Sequence, residues 1–126
     1  MNESDIKQRT KRFALDLIHL AGELPKTPEG RIVGNQLIRC STSVGANYRA
    51  ACRAKSKADI ISKLGIVLEE TDETCFWLEL IIEGNLLPKA KVQSLLKEVD
   101  ELTAIFVSSI KTSQYNQKSK IKIQKL

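Results

Sequence analysis

The residues able to do chemistry in this 126-residue chain are few. A single histidine, His19, closes the tetrapeptide Asp16-Leu17-Ile18-His19, an acid-x-x-His spacing that puts two metal ligands on one helical face. A di-iron carboxylate site takes two such motifs and two further inward carboxylates, and the chain has no second histidine. His19 also lies off the apolar stripe of its own segment, so it faces outward. Glu69 and Glu73 share a helical face, but on a solvated helix such a pair supplies charge rather than catalysis. Cys40 and Cys75 fall on apolar stripes and read as small buried hydrophobes. Cys52 has no histidine near it in sequence to activate it. No GxxxxGK[ST], GxGxxG or GxSxG motif occurs. The sequence predicts no enzyme, no bound metal and no cofactor.

What remains is charge. Twenty Lys and Arg against fifteen Asp and Glu give a net +5, but the signs are segregated. Residues 1–57 carry eleven basic and five acidic side chains, residues 58–101 four and ten, and residues 102–126 five lysines with no acid. Within 28–53, Arg31, Arg39, Arg49 and Arg53 fall in a sector about 80° wide, opposite the apolar stripe. Lys55 and Lys57 extend the run. Guanidinium groups bind phosphates bidentately and release counterions on doing so, which makes Arg39, Arg49, Arg53, Lys55 and Lys57 candidate nucleic-acid contacts. The other reading is a solvated polar face, or pairing with Glu69, Glu70, Asp72, Glu73, Glu79 and Glu83 within or between chains. Tyr48 is the one aromatic near these arginines, so base-specific stacking is not indicated.

Four helices must position these groups. Ile6, Phe13, Leu17, Leu20 and Leu24 share one face of a helix over about 4–24. Thr27 as N-cap, Pro28 at the first helical position and Glu29 in the first turn start a second over 28–53, with the stripe Val33, Leu37, Cys40, Val44, Ala51. Ser56 with Asp59 starts a third over 57–83, striped Ile60, Leu64, Leu68, Thr71, Cys75, Leu78, Ile82. Gly84-Asn85 ends it. Pro88 opens a fourth over 88–112, carrying Val92, Leu96, Val99, Thr103, Phe106 and Ile110. Short connections between such helices imply an all-α, up-down antiparallel four-helix bundle. The basic stretch 113–126 reads as a frayed, flexible tail.

The third helix is apolar beyond its stripe. Ile66, Trp77 and Leu80 project away from that line, as if toward a second dry neighbour. The second helix adds a row of small residues, Gly34, Ser41, Gly45 and Cys52, which permits close helix approach within the chain or between chains. Interior glycines cost about 1 kcal/mol each relative to alanine, so a compensating contact is expected. Gly45, Ile66, Trp77 and Leu80 are candidate interface residues of a homo-oligomer. Three cysteines without a CxxC, a polar start and no apolar run near the roughly 18 residues of a membrane span predict a reducing cytoplasm.

The stretch Gln36-Leu37-Ile38-Arg39-Cys40-Ser41-Thr42-Ser43-Val44-Gly45-Ala46-Asn47-Tyr48-Arg49-Ala50-Ala51 resembles the signature helix of bacterial four-helix-bundle proteins encoded in intervening sequences of 23S ribosomal RNA genes. Lys55-Ser56-Lys57-Ala58-Asp59 and Glu69-Glu70-Thr71-Asp72-Glu73-Thr74-Cys75-Phe76-Trp77 extend the likeness over about 10–110. Many relatives have an apolar residue and Ala-Glu-Gly after the asparagine, where this chain has Tyr48-Arg49-Ala50-Ala51. The resemblance implies a homopentameric bundle without enzymatic activity. It also implies a distant similarity to the accessory protein of diversity-generating retroelements, a basic bundle that binds nucleic acid and a reverse transcriptase. The leading expectation is a homo-oligomer binding RNA or DNA backbone. The rival is a structural or adaptor oligomer whose charges serve protein partners.

Overall fold

The computed structural model describes the backbone of residues 1–125 and the side chains of residues 1–116. Four helices follow in order, α1 (Glu3–Gly22), α2 (Pro28–Cys52), α3 (Lys57–Glu83) and α4 (Lys89–Lys125). Each of the first three has a chemical start. Asn2 and Asp5 form a capping box on α1, with the Asp5 amide donating to Asn2 Oδ1 at 2.9 Å and the Asn2 amide to Asp5 Oδ2 at 3.1 Å. Thr27 and Ser56 cap α2 and α3 by accepting from the Gly30 and Asp59 amides, each at 3.1 Å. Asn85, at φ 56°, takes the left-handed position after α3, and the Leu86 amide then donates to the Ile81 carbonyl at 2.9 Å.

The helices pack α1 against α2, α2 against α3 and α3 against α4, an antiparallel all-α bundle. The α1–α4 seam is the loosest of the four and is bridged by ions. Arg9 donates to Glu98 at 2.6 Å and lies 3.4 Å from Glu101, and Lys91 meets Glu23 at 3.2 Å. Contact with Glu98 raises the Arg9 pKa, so this charge persists across the accessible pH range.

The core matches the expected stripes of α1 and α2 residue for residue. Ile6, Phe13, Leu17, Leu20 and Leu24 are buried, as are Val33, Leu37, Cys40, Val44 and Ala51. On α3 the line is rotated. Leu64, Val67, Thr71, Thr74, Leu78 and Ile81 are its buried residues, while Ile60, Leu68, Cys75 and Ile82 are half-buried at its edge. The alternating three- and four-residue steps of this line give the narrow seam needed between two flanking helices. On α4 the buried residues are Val92, Val99, Leu102 and Phe106, with Thr103 beside them rather than among them. Phe106 lies 5.9 Å from the Tyr48 ring, centre to centre, closing the core between α2 and α4. The buried serine and threonine hydroxyls are all satisfied locally: Thr10, Ser41, Thr71 and Thr74 donate to the carbonyls of Ile6, Ile38, Val67 and Glu70 at 2.9, 3.4, 2.8 and 2.8 Å.

The last helix runs on where a tail was expected from residue 113. Its backbone continues to Lys125, because no glycine or proline stands between Lys89 and Leu126 to stop it. Among the described residues, no helix is long and apolar enough to cross a membrane.

Candidate nucleic-acid interface

Antiparallel packing converts charge segregation along the chain into charge separation along the bundle. The α1 start, α2 end, α3 start and middle of α4 meet at one end, around the α2–α3 turn. That half, residues 1–12, 45–68 and 104–116, holds ten basic and three acidic side chains. The other half, residues 13–44 and 69–103, holds six basic and twelve acidic ones. A phosphate backbone would meet opposite fields at the two ends.

The five candidate cations fall into two groups. Arg39 is neutralised inside the chain. Its guanidinium donates to Glu73 and lies 3.4 Å from Glu70, while its Nε donates to Gln36 at 2.8 Å. Glu73 also accepts from the Trp77 indole at 3.1 Å, so this acid is held from two sides. Arg39 belongs to the α2–α3 packing, and its candidacy as a phosphate contact is corrected accordingly. Arg49, Arg53, Lys55 and Lys57 have no carboxylate within salt-bridge distance among the described residues.

Arg53 and Lys55 line a shallow depression of about 600 Å³ at the α2–α3 turn, with Ser56, Asp59 and Lys63. Asp59 is matched there by Lys63 at 2.8 Å. The amides at the start of α3 add the positive end of a helix dipole to the same depression. Arg49 lines a second concavity of about 310 Å³ between α1 and α2, shared with Lys7, Lys11, Thr10, Thr42 and Gly45. No acid lines it. Lys7 and Lys11 were not among the sequence candidates. Their signal was present: Lys7 and Lys11 share a helical face with Thr10 and Ala14, whereas Asp5 and Asp16 lie on the other side of α1, and the one α1 acid on the α2 side, Glu3, stands about a turn before Lys7 beside Tyr48 and Cys52.

Gly45 serves the packing of α1 on α2. A Cβ there would stand 3.2 Å from Thr10 Oγ1 and 3.4 Å from Thr10 Cβ. The close approach this small residue permits is therefore inside the chain. Ile66 and Leu80 are exposed to 41% and 38%, as the apolar excess of α3 predicts, whereas Trp77 is half-buried against the core. Phe76, 53% exposed and edge-on to Trp77, was missed because it lies between acids in sequence.

His19 is exposed on α1. Burial pushes the thiols of Cys40, Cys52 and Cys75 up, Cys75 to about 12 with the help of Glu79, so all three are protonated near neutrality. Among the described residues, no three His, Cys, Asp or Glu side chains gather as metal ligands.

The family model of the 23S rRNA-intervening sequence protein matches residues 2–108. The chain belongs to this family. Its fold is shared with a crystal structure, at 1.70 Å resolution, of a protein of unknown function from the S23 ribosomal protein family of Bacteroides thetaiotaomicron VPI-5482. The two chains are 34% identical, with a TM-score of 0.79 over 84% of this chain and 98% of the other. No curated protein matches the chain. The family match runs through α1, α2 and α3 and into α4 as far as Ser108, which includes every candidate residue of the basic end.

Proposed function

We propose that this member of the 23S rRNA-intervening sequence protein family is a non-enzymatic, homo-oligomeric bundle that binds the phosphate backbone of RNA or DNA through its basic end. The observation that carries this reading is the group Arg49, Arg53, Lys55 and Lys57, gathered around one turn with no carboxylate at salt-bridge distance among the described residues, with Lys7 and Lys11 beside it. Six cations around two shallow depressions suit counterion release and contact with phosphates. The depressions are shallow, and the nearby ring of Tyr48 is 5% exposed, so the end offers no stacking platform for bases. Sequence-tolerant binding follows.

Fluorescence anisotropy with labelled single-stranded and duplex RNA and DNA at about 50 mM salt tests the proposal. Binding that is lost in the Arg49→Glu, Arg53→Glu double variant supports it. A wild-type chain that binds none of the four probes overturns it and leaves the adaptor reading, which the exposed Phe76, Ile66 and Leu80 favour.

A further inference from the structure

The face of α4 that fills the core changes character toward the basic end. Val92, Val99, Leu102 and Phe106 are buried on it. The same three- and four-residue steps lead on from Phe106 to Ser109, Ser113 and Asn116, where hydroxyls and an amide replace apolar side chains. These groups form one wall of a recess of about 380 Å³ at the basic end. Glu3 stands on its α1 side, Lys57 on its α3 side, and Ala51, Ile60 and Leu64 supply apolar surface. Tyr48 lines it too, and its ring meets the fully buried Phe106 at 5.9 Å, so the recess ends on the core.

The chemistry of this lining is selective. The Glu3 carboxylate accepts hydrogen bonds and donates none. Ser109 commits its proton to the Ile105 carbonyl at 2.9 Å, which leaves its oxygen as an acceptor. The ion pairs of Arg9 with Glu98 and of Lys91 with Glu23 set the antiparallel register of α1 and α4. That register brings Glu3 level with Ser108, so acceptors face the recess from both helices. A phosphate group is itself an acceptor, and Glu3 repels it. Two adjacent sugar hydroxyls do donate to such a pair, as ribose hydroxyls do to the carboxylate of dinucleotide sites. Lys57, one of the cations of the basic end with Arg53 and Lys55, stands ready for a phosphate at the rim.

We infer that this recess receives the 3′-terminal ribose of an RNA chain, its cis-diol donating to Glu3 and Ser109 and its last phosphodiester meeting Lys57. A recess closed by the core admits a chain end and not a strand passing through. The C–H face of the sugar and the terminal base lie against Ala51, Ile60 and Leu64, which read no base edge, so sequence tolerance is kept. DNA engages the same cations but lacks the diol, and the 2′-hydroxyl is what separates the two polymers. This inference rests on the phosphate-binding reading above and adds to it a preferred sugar and a preferred end.

One short RNA, labelled at its 5′ end and finished at its 3′ end with a free diol, a 3′-deoxyribose or a 3′-phosphate, tests it by anisotropy. The inference predicts affinity falling in that order, with about tenfold between the first two for one hydrogen bond to a charged acceptor. Charge alone predicts the opposite, because the 3′-phosphate probe is the most negative. Glu3→Ala, with circular dichroism as the check on folding, should erase most of the preference for the diol and strengthen binding of the 3′-phosphate probe. A wild type that binds all three ends alike, or the 3′-phosphate most tightly, overturns the inference and leaves phosphate binding standing. So does a Glu3→Ala variant that keeps the full preference. No binding of any probe overturns both readings. Competition with uridine 5′-monophosphate separates the two sources of a ribose diol: displacement only at large excess supports the RNA end, whereas binding as tight as the oligomer assigns the recess to free nucleotides and overturns it.

Discussion

Two glycines inside helices offer a sharp test of the packing. Gly65 on α3 has no atom within 4 Å of the position a Cβ would occupy. Gly65→Ala therefore keeps the whole helix-propensity gain, about 1 kcal/mol. For a chain of this size that raises the melting temperature by about 3–6 °C. Gly45→Ala starts from the same gain, but its Cβ would stand 3.2 Å from Thr10 Oγ1. Thr10 cannot retreat easily: it is 1% exposed, and its hydroxyl donates to the Ile6 carbonyl at 2.9 Å and contacts the Lys7 carbonyl at 3.1 Å. Helix α1 must move away from α2 by a few tenths of an ångström, and the packing lost along the seam cancels the gain. Gly45→Ala is thus expected at or below wild-type stability, and Gly45→Val roughly 1–3 kcal/mol below it through overpacking. Thermal and urea unfolding followed by circular dichroism, at one protein concentration, reads the difference. If Gly45→Ala stabilises as much as Gly65→Ala, helices α1 and α2 do not meet as described.

The remaining predictions concern the core, one ion pair and the thiols. Phe106→Ala removes a side chain of 0% exposure that also packs on Tyr48, and costs about 3–5 kcal/mol in urea unfolding. Arg39→Ala breaks a half-exposed pair and costs no more than about 1 kcal/mol. In the anisotropy assay it leaves nucleic-acid affinity within about twofold, because Arg39 is already matched by Glu70 and Glu73. Native protein at pH 8 alkylates slowly with iodoacetamide at all three cysteines and rapidly in urea, since burial holds the thiols protonated. The Cys75 thiol, at about 12 when folded and near 9 when unfolded, favours the native state below pH 9. That preference is lost as pH rises from 9 toward 12, so urea midpoints should fall across this window, and a flat profile speaks against the burial of Cys75.

Much of the fold was legible because the stripes of α1 and α2 are narrow. Each has one apolar face, and a helical wheel admits one orientation. Helix α3 was read a fraction of a turn off because apolar residues surround it: with Leu68, Cys75 and Ile82 on one side and Val67, Thr74 and Ile81 on the other, the wheel alone does not choose. Packing between α2 and α4 chooses the second set. The end of α4 was misplaced because polarity was taken as a stop, whereas the backbone there lacks any breaker. At the candidate interface, Arg49, Arg53, Lys55 and Lys57 were readable from one helix and its turn. The pairing of Arg39 with α3 and the approach of Lys7 and Lys11 to Arg49 depend on the register between helices, set by contacts such as Thr10 with Gly45 and Cys40 with Thr74. Periodicity within a helix carries no information about that register.

The central claim is that the basic end engages phosphates, and salt dependence tests it most directly. With four to six cations contacting a backbone, log affinity against log salt concentration should fall with a slope of roughly −3 to −5 per bound subunit. The Arg53→Glu, Lys55→Glu double variant should bind more weakly and with a shallower slope, on RNA and DNA probes alike. A slope near zero, or a double variant whose affinity and slope match the wild type, contradicts the account.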